Sequence, residues 1–149
     1  MGRDNARTPM QWDKSMFAGF SWTVPWIRLN STYDKINVQN QISDENSVLN
    51  FYQKMIALRK SEIYSPVLVN GSFDLVNTDN KDLFVYTRNL LDQTIMIIFN
   101  WSNNPAQYNF GKKEMKILIN NSNSNYLCNN ILCLEPWGFL ILEVRDGMK

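Results

Sequence analysis

Apolar and polar positions alternate in three different ways along the chain. Residues 1–44 follow neither the helical period of 3.6 nor the strand period of 2. They carry Trp12, Phe17, Phe20, Trp22, Trp26 and Tyr33 at irregular spacing, with Pro9, Gly19 and Pro25 between them. A structureless stretch of this length is uncommon inside a compact domain. Either it hides short strands or it lies on a partner surface, for which the number of its aromatics argues. From Val48 the period changes: Val48, Phe51, Tyr52, Met55, Ile56 and Leu58 recur at helical spacing. Ser43, Asp44, Glu45, Asn46 and Ser47 offer caps and early negative charge, and Lys54, Arg59 and Lys60 suit the far end of the helix dipole. The pattern predicts an amphipathic helix over 45–61, stopped before Ser65 and Pro66. Its apolar stripe reads as packing surface.

The remainder, 66–149, reads as antiparallel β. Runs of β-branched and aromatic residues predict strands at 67–69, 72–76, 83–88, 94–101, 106–110, 115–120, 131–134 and 138–144. Turn clusters separate them, among them Asn70 with Gly71, Asn103 to Pro105, and Glu135 with Pro136. Partial alternation in 83–88 implies one buried face, while the continuous apolar runs at 95–99 and 139–142 imply central strands. The predicted fold class is mainly β: an antiparallel, Greek-key-like sandwich preceded by one amphipathic helix and a long irregular arm.

Composition narrows the chemistry. Fifteen basic and fourteen acidic residues nearly cancel, which gives no argument for a nucleic-acid or anionic-membrane partner. Histidine is absent, removing the commonest general base and metal ligand together. Cys128 and Cys133 are too few for a disulfide framework and read as free thiols, with a bridge or a metal pair as the alternatives. No apolar run is long enough for a membrane span. The asparagine-rich stretch 120–125 reads as a solvated turn. Asp74, Asp79, Asp82 and Asp92 fall at strand ends and turns, where aspartate serves the backbone. No residue is marked as catalytic or metal-binding, and no cofactor is implied.

One segment stands apart. Arg3, Asp4, Asn5, Ala6, Arg7, Thr8, Pro9, Met10, Gln11, Trp12 and Asp13 concentrate charge, amide and indole in eleven residues without apolar period. Guanidinium forks hold hydroxyls and carboxylates, and tryptophan stacks on sugar rings. A surface loop of mixed charge is the plainer reading of the same residues.

This run resembles the signature near the end of the catalytic barrel in glycoside hydrolase family 13, in the branch of oligo-1,6-glucosidase, α-glucosidase, dextran glucosidase and trehalose-6-phosphate hydrolase. The likeness continues through Ala18-Gly19-Phe20, Pro25-Trp26-Ile27, Tyr33 with Ile36-Asn37-Val38, and Phe51-Tyr52 with Leu58-Arg59-Lys60. It returns at Leu134-Glu135-Pro136-Trp137-Gly138. The resemblance implies that 1–44 is the loop after the last barrel strand, 45–62 the last barrel helix, and 66–149 the C-terminal β-domain. The family's catalytic aspartate, glutamate and second aspartate lie upstream of these motifs, in a barrel of about 250 residues. The chain alone is therefore expected to be inactive, as the C-terminal part of a cytoplasmic, retaining, exo-acting α-glucosidase cutting α-1,6 or α-1,4 bonds.

By the same likeness Arg3 binds the glucose at the non-reducing end. Asp4, Asn5, Arg7, Gln11 and Trp12 would hold the loop in shape, and Glu135 and Trp137 would be structural. The partner implied is an α-glucoside oligosaccharide, bound only in the context of the barrel. Two other readings stay open on the residues alone. One is a free-standing carbohydrate-binding module with Trp22, Trp26 and Trp137 as its platform. The other is a self-associating domain that hides its aromatic arm in a homodimer.

Overall fold

The computed structural model describes residues 6–111 and 113–145. It divides into two compact units, Met1–Lys54 and Met55–Lys149. Among the described residues no helix is long and apolar enough to cross a membrane.

The first unit is organised by two local devices. The stretch Met16–Gly19 forms a single tight turn in which Phe17, Ala18 and Gly19 all take left-handed backbone angles, with φ of 57°, 60° and 65°. Ala18 is fully buried, and its carbonyl accepts from the amides of Trp12 at 2.9 Å and Asp13 at 3.3 Å. The second device is Asn37, which is buried and caps helix α1 (Val38–Ser43). Its Oδ1 accepts from the Asn40 amide, and its Nδ2 donates to the Tyr33 carbonyl, both at 2.9 Å. This short helix lies inside a segment expected to be irregular. An asparagine three residues before a free amide is a cap signal that the aromatic spacing hid.

Helix α2 spans Val48–Lys60, three residues shorter at its start than expected. Ser47 is the reason: its Oγ accepts from the Asn50 amide at 3.2 Å while its carbonyl takes the first helical bond from Phe51. Arg59 and Lys60 occupy the last turn, as the dipole favours. None of its residues is buried; Val48, Tyr52 and Ile56 are exposed.

The expected strand at 67–69 is a helix. Residues Ser65–Asn70 form α3, with Pro66 in its first turn. Proline ends a helix that arrives from its N-terminal side, but it also opens a new one, because the amide it lacks needs no partner there. Gly71 then turns the chain into β1. A Cβ on Gly71 would lie 2.5 Å from the Val67 carbonyl oxygen and 2.9 Å from that of Asn89, so only glycine fits.

The strands follow as β1 (Ser72–Val76), β2 (Leu83–Leu90), β3 (Gln93–Asn100), β4 (Ala106–Asn109), β5 (Glu114–Asn120), β6 (Tyr126–Cys128), β7 (Ile131–Leu134) and β8 (Phe139–Arg145). They make a five-stranded sheet in the order β1-β2-β3-β8-β5 and a three-stranded sheet in the order β4-β7-β6. All pairings are antiparallel. The architecture is mainly β and sandwich-like, as the hydrophobic pattern predicts. The two continuous apolar runs became β3 and β8, the central pair of the large sheet.

Register sets the core. Val85 faces Ile98, and Ile98 faces Leu140, so Leu83, Val85, Met96, Ile98, Leu140, Leu142 and Val144 share one face. They pack with Ala106, Phe110, Leu132 and Leu134 of the smaller sheet's side in one buried cluster. Strand β6 was not anticipated. It is three residues long and pairs with β7 across Asn129 and Asn130, both with positive φ, the backbone of a tight hairpin turn. Cys128 and Cys133 are free, and lie on these two strands opposite Ile131 and Tyr126.

Asparagine 125 corrects another expectation. The 120–125 stretch turns the chain, but Asn125 is buried rather than solvated. Its Nδ2 donates to Asn120 Oδ1 at 2.8 Å, and its Oδ1 accepts from the Glu135 amide at 2.9 Å.

Candidate functional site

Arg3, Asp4 and Asn5 lie outside the described residues, so the arginine singled out for sugar binding has no geometry here. The rest of the motif does. Arg7 is exposed and Pro9 is buried. The carbonyls of Gln11 and Trp12 accept from the amides of Val38 and Gln39, each at 2.9 Å. These amides belong to the first turn of α1 and have no partner within the helix. The side-chain amide of Gln11 donates to the Ile36 carbonyl. Trp12 is half-exposed, its backbone fixed on both sides by Ala18 and Gln39.

Asp13 is the residue that motif reading passed over. Its Oδ1 accepts from both the amide and the hydroxyl of Ser15. The hydroxyl first, then the amide, holds its carboxyl below the usual carboxylate range. The aspartate-x-serine spacing was the available signal, since aspartate bonds its own backbone two residues on. The same carboxylate constrains Gly19. A Cβ on Gly19 would sit 2.6 Å from Asp13 Oδ2, and φ is +65° besides. Gly19→Ala is therefore expected to cost about 1–2 kcal/mol from the left-handed backbone alone. The loss should appear as faster hydrogen exchange at the Trp12 and Asp13 amides, which bond to Ala18. Unchanged exchange there would show that the turn does not hold the motif.

The unit also has an open cleft of about 580 Å³ lined by Thr8, Trp26, Arg28 and Asn30, among others. Trp22 and Trp26 are 97% and 90% exposed. Glu135 and Trp137 lie in the second unit. The Glu135 carbonyl accepts from Gly138 N and Asn100 Nδ2, and Trp137 Nε1 donates to Asn103 Oδ1 at 3.0 Å. Both serve turns. Asp74 is held by Ser72 and Asn89, whose hydrogen bonds lower its carboxyl in that order.

The segment that carries the motif matches a known family. The model of the alpha-amylase catalytic domain covers residues 1–71. The oligo-1,6-glucosidase of Parageobacillus thermoglucosidasius is 37% identical over 97% of the chain. The chain belongs to glycoside hydrolase family 13. It corresponds to a C-terminal portion of an oligo-1,6-glucosidase-type member. The oligo-1,6-glucosidase of Halalkalibacterium halodurans is 44% identical over 67% of the chain. These alignments take in 26% and 17% of the two relatives, so the chain spans only a fraction of their length.

Solved family members extend the likeness to three dimensions. The trehalose-6-phosphate hydrolase of Bacillus licheniformis superposes with a TM-score of 0.83 at 26% identity, covering 97% of this chain and 27% of that one. The isomaltulose synthase of Klebsiella sp. LX3 gives 0.82 at 30% identity, covering 97% and 26%. The β-sandwich is thus related to a domain of family 13 enzymes.

Proposed function

We propose that the chain is the non-catalytic C-terminal part of a retaining, exo-acting α-glucosidase. The whole enzyme would hydrolyse α-1,6 or α-1,4 glucosidic bonds of an α-glucoside oligosaccharide. One observation carries this reading: near-complete coverage of the chain by oligo-1,6-glucosidases, with the catalytic-domain match confined to residues 1–71. In this reading the β-sandwich supports the catalytic domain, and the motif segment completes the substrate site. Arg3 binds the non-reducing glucose through its guanidinium fork. Gln11 and Trp12 position that arginine by tying the motif to the first turn of α1. The exposed tryptophans and the uncovered stripe of α2 fit surfaces meant for burial in a larger protein.

The test is a chimera in which these 149 residues replace the matching quarter of the Parageobacillus enzyme. The chimera should hydrolyse p-nitrophenyl α-glucoside, and the 149-residue chain alone should not. In the chimera, Arg3→Ala should lower kcat/KM roughly 10- to 150-fold, the worth of a charge-assisted hydrogen bond, with Tm unchanged. Hydrolysis by the isolated chain would sink the reading. An unaffected Arg3→Ala chimera would remove the arginine from the site.

A further inference from the structure

The two cysteines belong neither to the motif segment nor to the buried core. Burial alternates along β7: Leu132 and Leu134 are buried, while Ile131 and Cys133 are half-buried on the opposite face. Across the hairpin Cys133 pairs with Tyr126, and Ile131 with Cys128, so these four side chains share that face. Strand β4 adds only amides to it, Gln107 opposite Cys133 and Asn109 opposite Ile131. Cys128 and Tyr126 are exposed, which leaves the patch open to solvent. Both sulfurs act on one phenol. The Tyr126 hydroxyl is pushed up first by its hydrogen bond to Cys133 and then by the charge of that thiol, and the charge of Cys128 adds to them.

Register sets the distance between the thiols. Cys128 and Cys133 are diagonal rather than opposite, offset by two positions along β7. Diagonal neighbours lie about 7–8 Å apart at Cα. A disulfide joins Cα atoms about 4.4–6.8 Å apart, so the pair is too wide for a direct bond. Asn129 and Asn130, with φ of 48° and 65°, make the two-residue turn that pins this register. A single atom between the sulfurs closes the gap. Two metal–sulfur bonds of about 2.3 Å in line hold the sulfurs about 4.5 Å apart, against about 2 Å in a disulfide.

We propose that Cys128 and Cys133 form a two-coordinate site for a soft monovalent metal ion, copper(I). The donor set chooses the ion. Thiolates select soft metals, whereas the Tyr126 hydroxyl and the neighbouring amides are hard oxygen donors that such an ion ignores. Zinc takes four ligands in a closed site. Among the described residues no group of three or more His, Cys, Asp or Glu could hold a metal ion, so the donors here stop at two sulfurs. Copper(I) accepts two thiolates in line. Binding releases the two thiol protons to solvent and ties β6 to β7 beyond their three paired positions. The site is independent of the functional reading above.

Anaerobic competition for copper(I) against the chromogenic chelator bicinchoninate tests it on the 149-residue chain. The chain should withdraw one ion from the chelator, and its Tm should rise as it does. Cys128→Ser and Cys133→Ser, at exposed and half-buried positions, should each keep the far-ultraviolet circular dichroism and lose both the ion and the rise in Tm. Tyr126→Phe should keep both. Retention of the ion by either serine variant would overturn the site. Zinc(II) held at the same stoichiometry, and lost in the same variants, would overturn the choice of ion. If the metal-free chain lost two hydrogens on treatment with hydrogen peroxide, and neither serine variant did, the sulfurs would meet directly and the proposal would fall.

Discussion

Asn100→Asp is expected to destabilise the β-sandwich by about 3–5 kcal/mol at neutral pH, the cost of a buried charge left without a partner. Asn100 is 2% exposed. Its Nδ2 donates to the carbonyls of Asn104 and Glu135, both at 2.8 Å. Its Oδ1 accepts from the amide and hydroxyl of Ser102 at 3.1 and 3.0 Å. One side chain thus joins the end of β3 to the turns before β4 and before β8. Aspartate keeps the shape and the acceptor side, but it turns an oxygen toward two carbonyl oxygens. The carboxyl can relieve this by keeping a proton, which donates to one of them. Its folded pKa is therefore raised above the unfolded value of about 3.9. The folded state then binds more protons than the unfolded one between the two values, so the variant loses stability as pH rises through that window. Below pH 4 both states are protonated and the deficit is smallest. Urea denaturation of both proteins at pH 4 and 7 measures it. A deficit equal at both values would mean that the carboxylate finds water or a cation, and that Asn100 is no buried hub. Asn100→Ala, which orphans the carbonyls without adding charge, should cost about 1–3 kcal/mol at either pH.

Asparagine also marks where sequence reading stopped. In a chain so rich in it, the residue reads as turn and solvent, yet Asn37, Asn100 and Asn125 are buried. Each satisfies backbone groups where an element begins or ends: Asn37 through the nearby Tyr33 and Asn40, but Asn100 and Asn125 through Glu135, a partner distant in sequence and invisible in local pattern. Strands were legible because burial imposes a period. Segments 72–76 and 131–134 match β1 and β7 residue for residue. Strand β6 is too short to show a period, and α3 was hidden because proline both ends and begins helices. The aromatic outer face was hidden for a related reason. Partial alternation in 83–88 implies one buried face and says nothing of the other, where Phe84 and Tyr86 stand. In the motif segment, resemblance identified the residues while physics alone left a polar loop. The bonds of Gln11, Trp12 and Asp13 explain how such a loop keeps its shape.

Leu142→Ala should cost about 2–5 kcal/mol, the range for a core leucine whose cavity cannot collapse. Leu142 is fully buried in β8, paired with Met96 on one side and Ile117 on the other. Both neighbouring strands are held by ladder hydrogen bonds, so the backbone has little freedom to close the void. The residue sits in the cluster between the two sheets, not on the ring-bearing face. Its loss therefore separates two kinds of apolar surface in one sheet. Leu142→Met, nearly equal in volume, should stay within about 1.5 kcal/mol. Phe84→Ser, on the outer face, should change the isolated chain's stability by much less than Leu142→Ala, because part of that ring is already in water. Equilibrium urea unfolding of the three variants gives the order. If Phe84→Ser proved as damaging as Leu142→Ala, the outer face would belong to the folding core of the chain itself, and its exposed rings would need no partner.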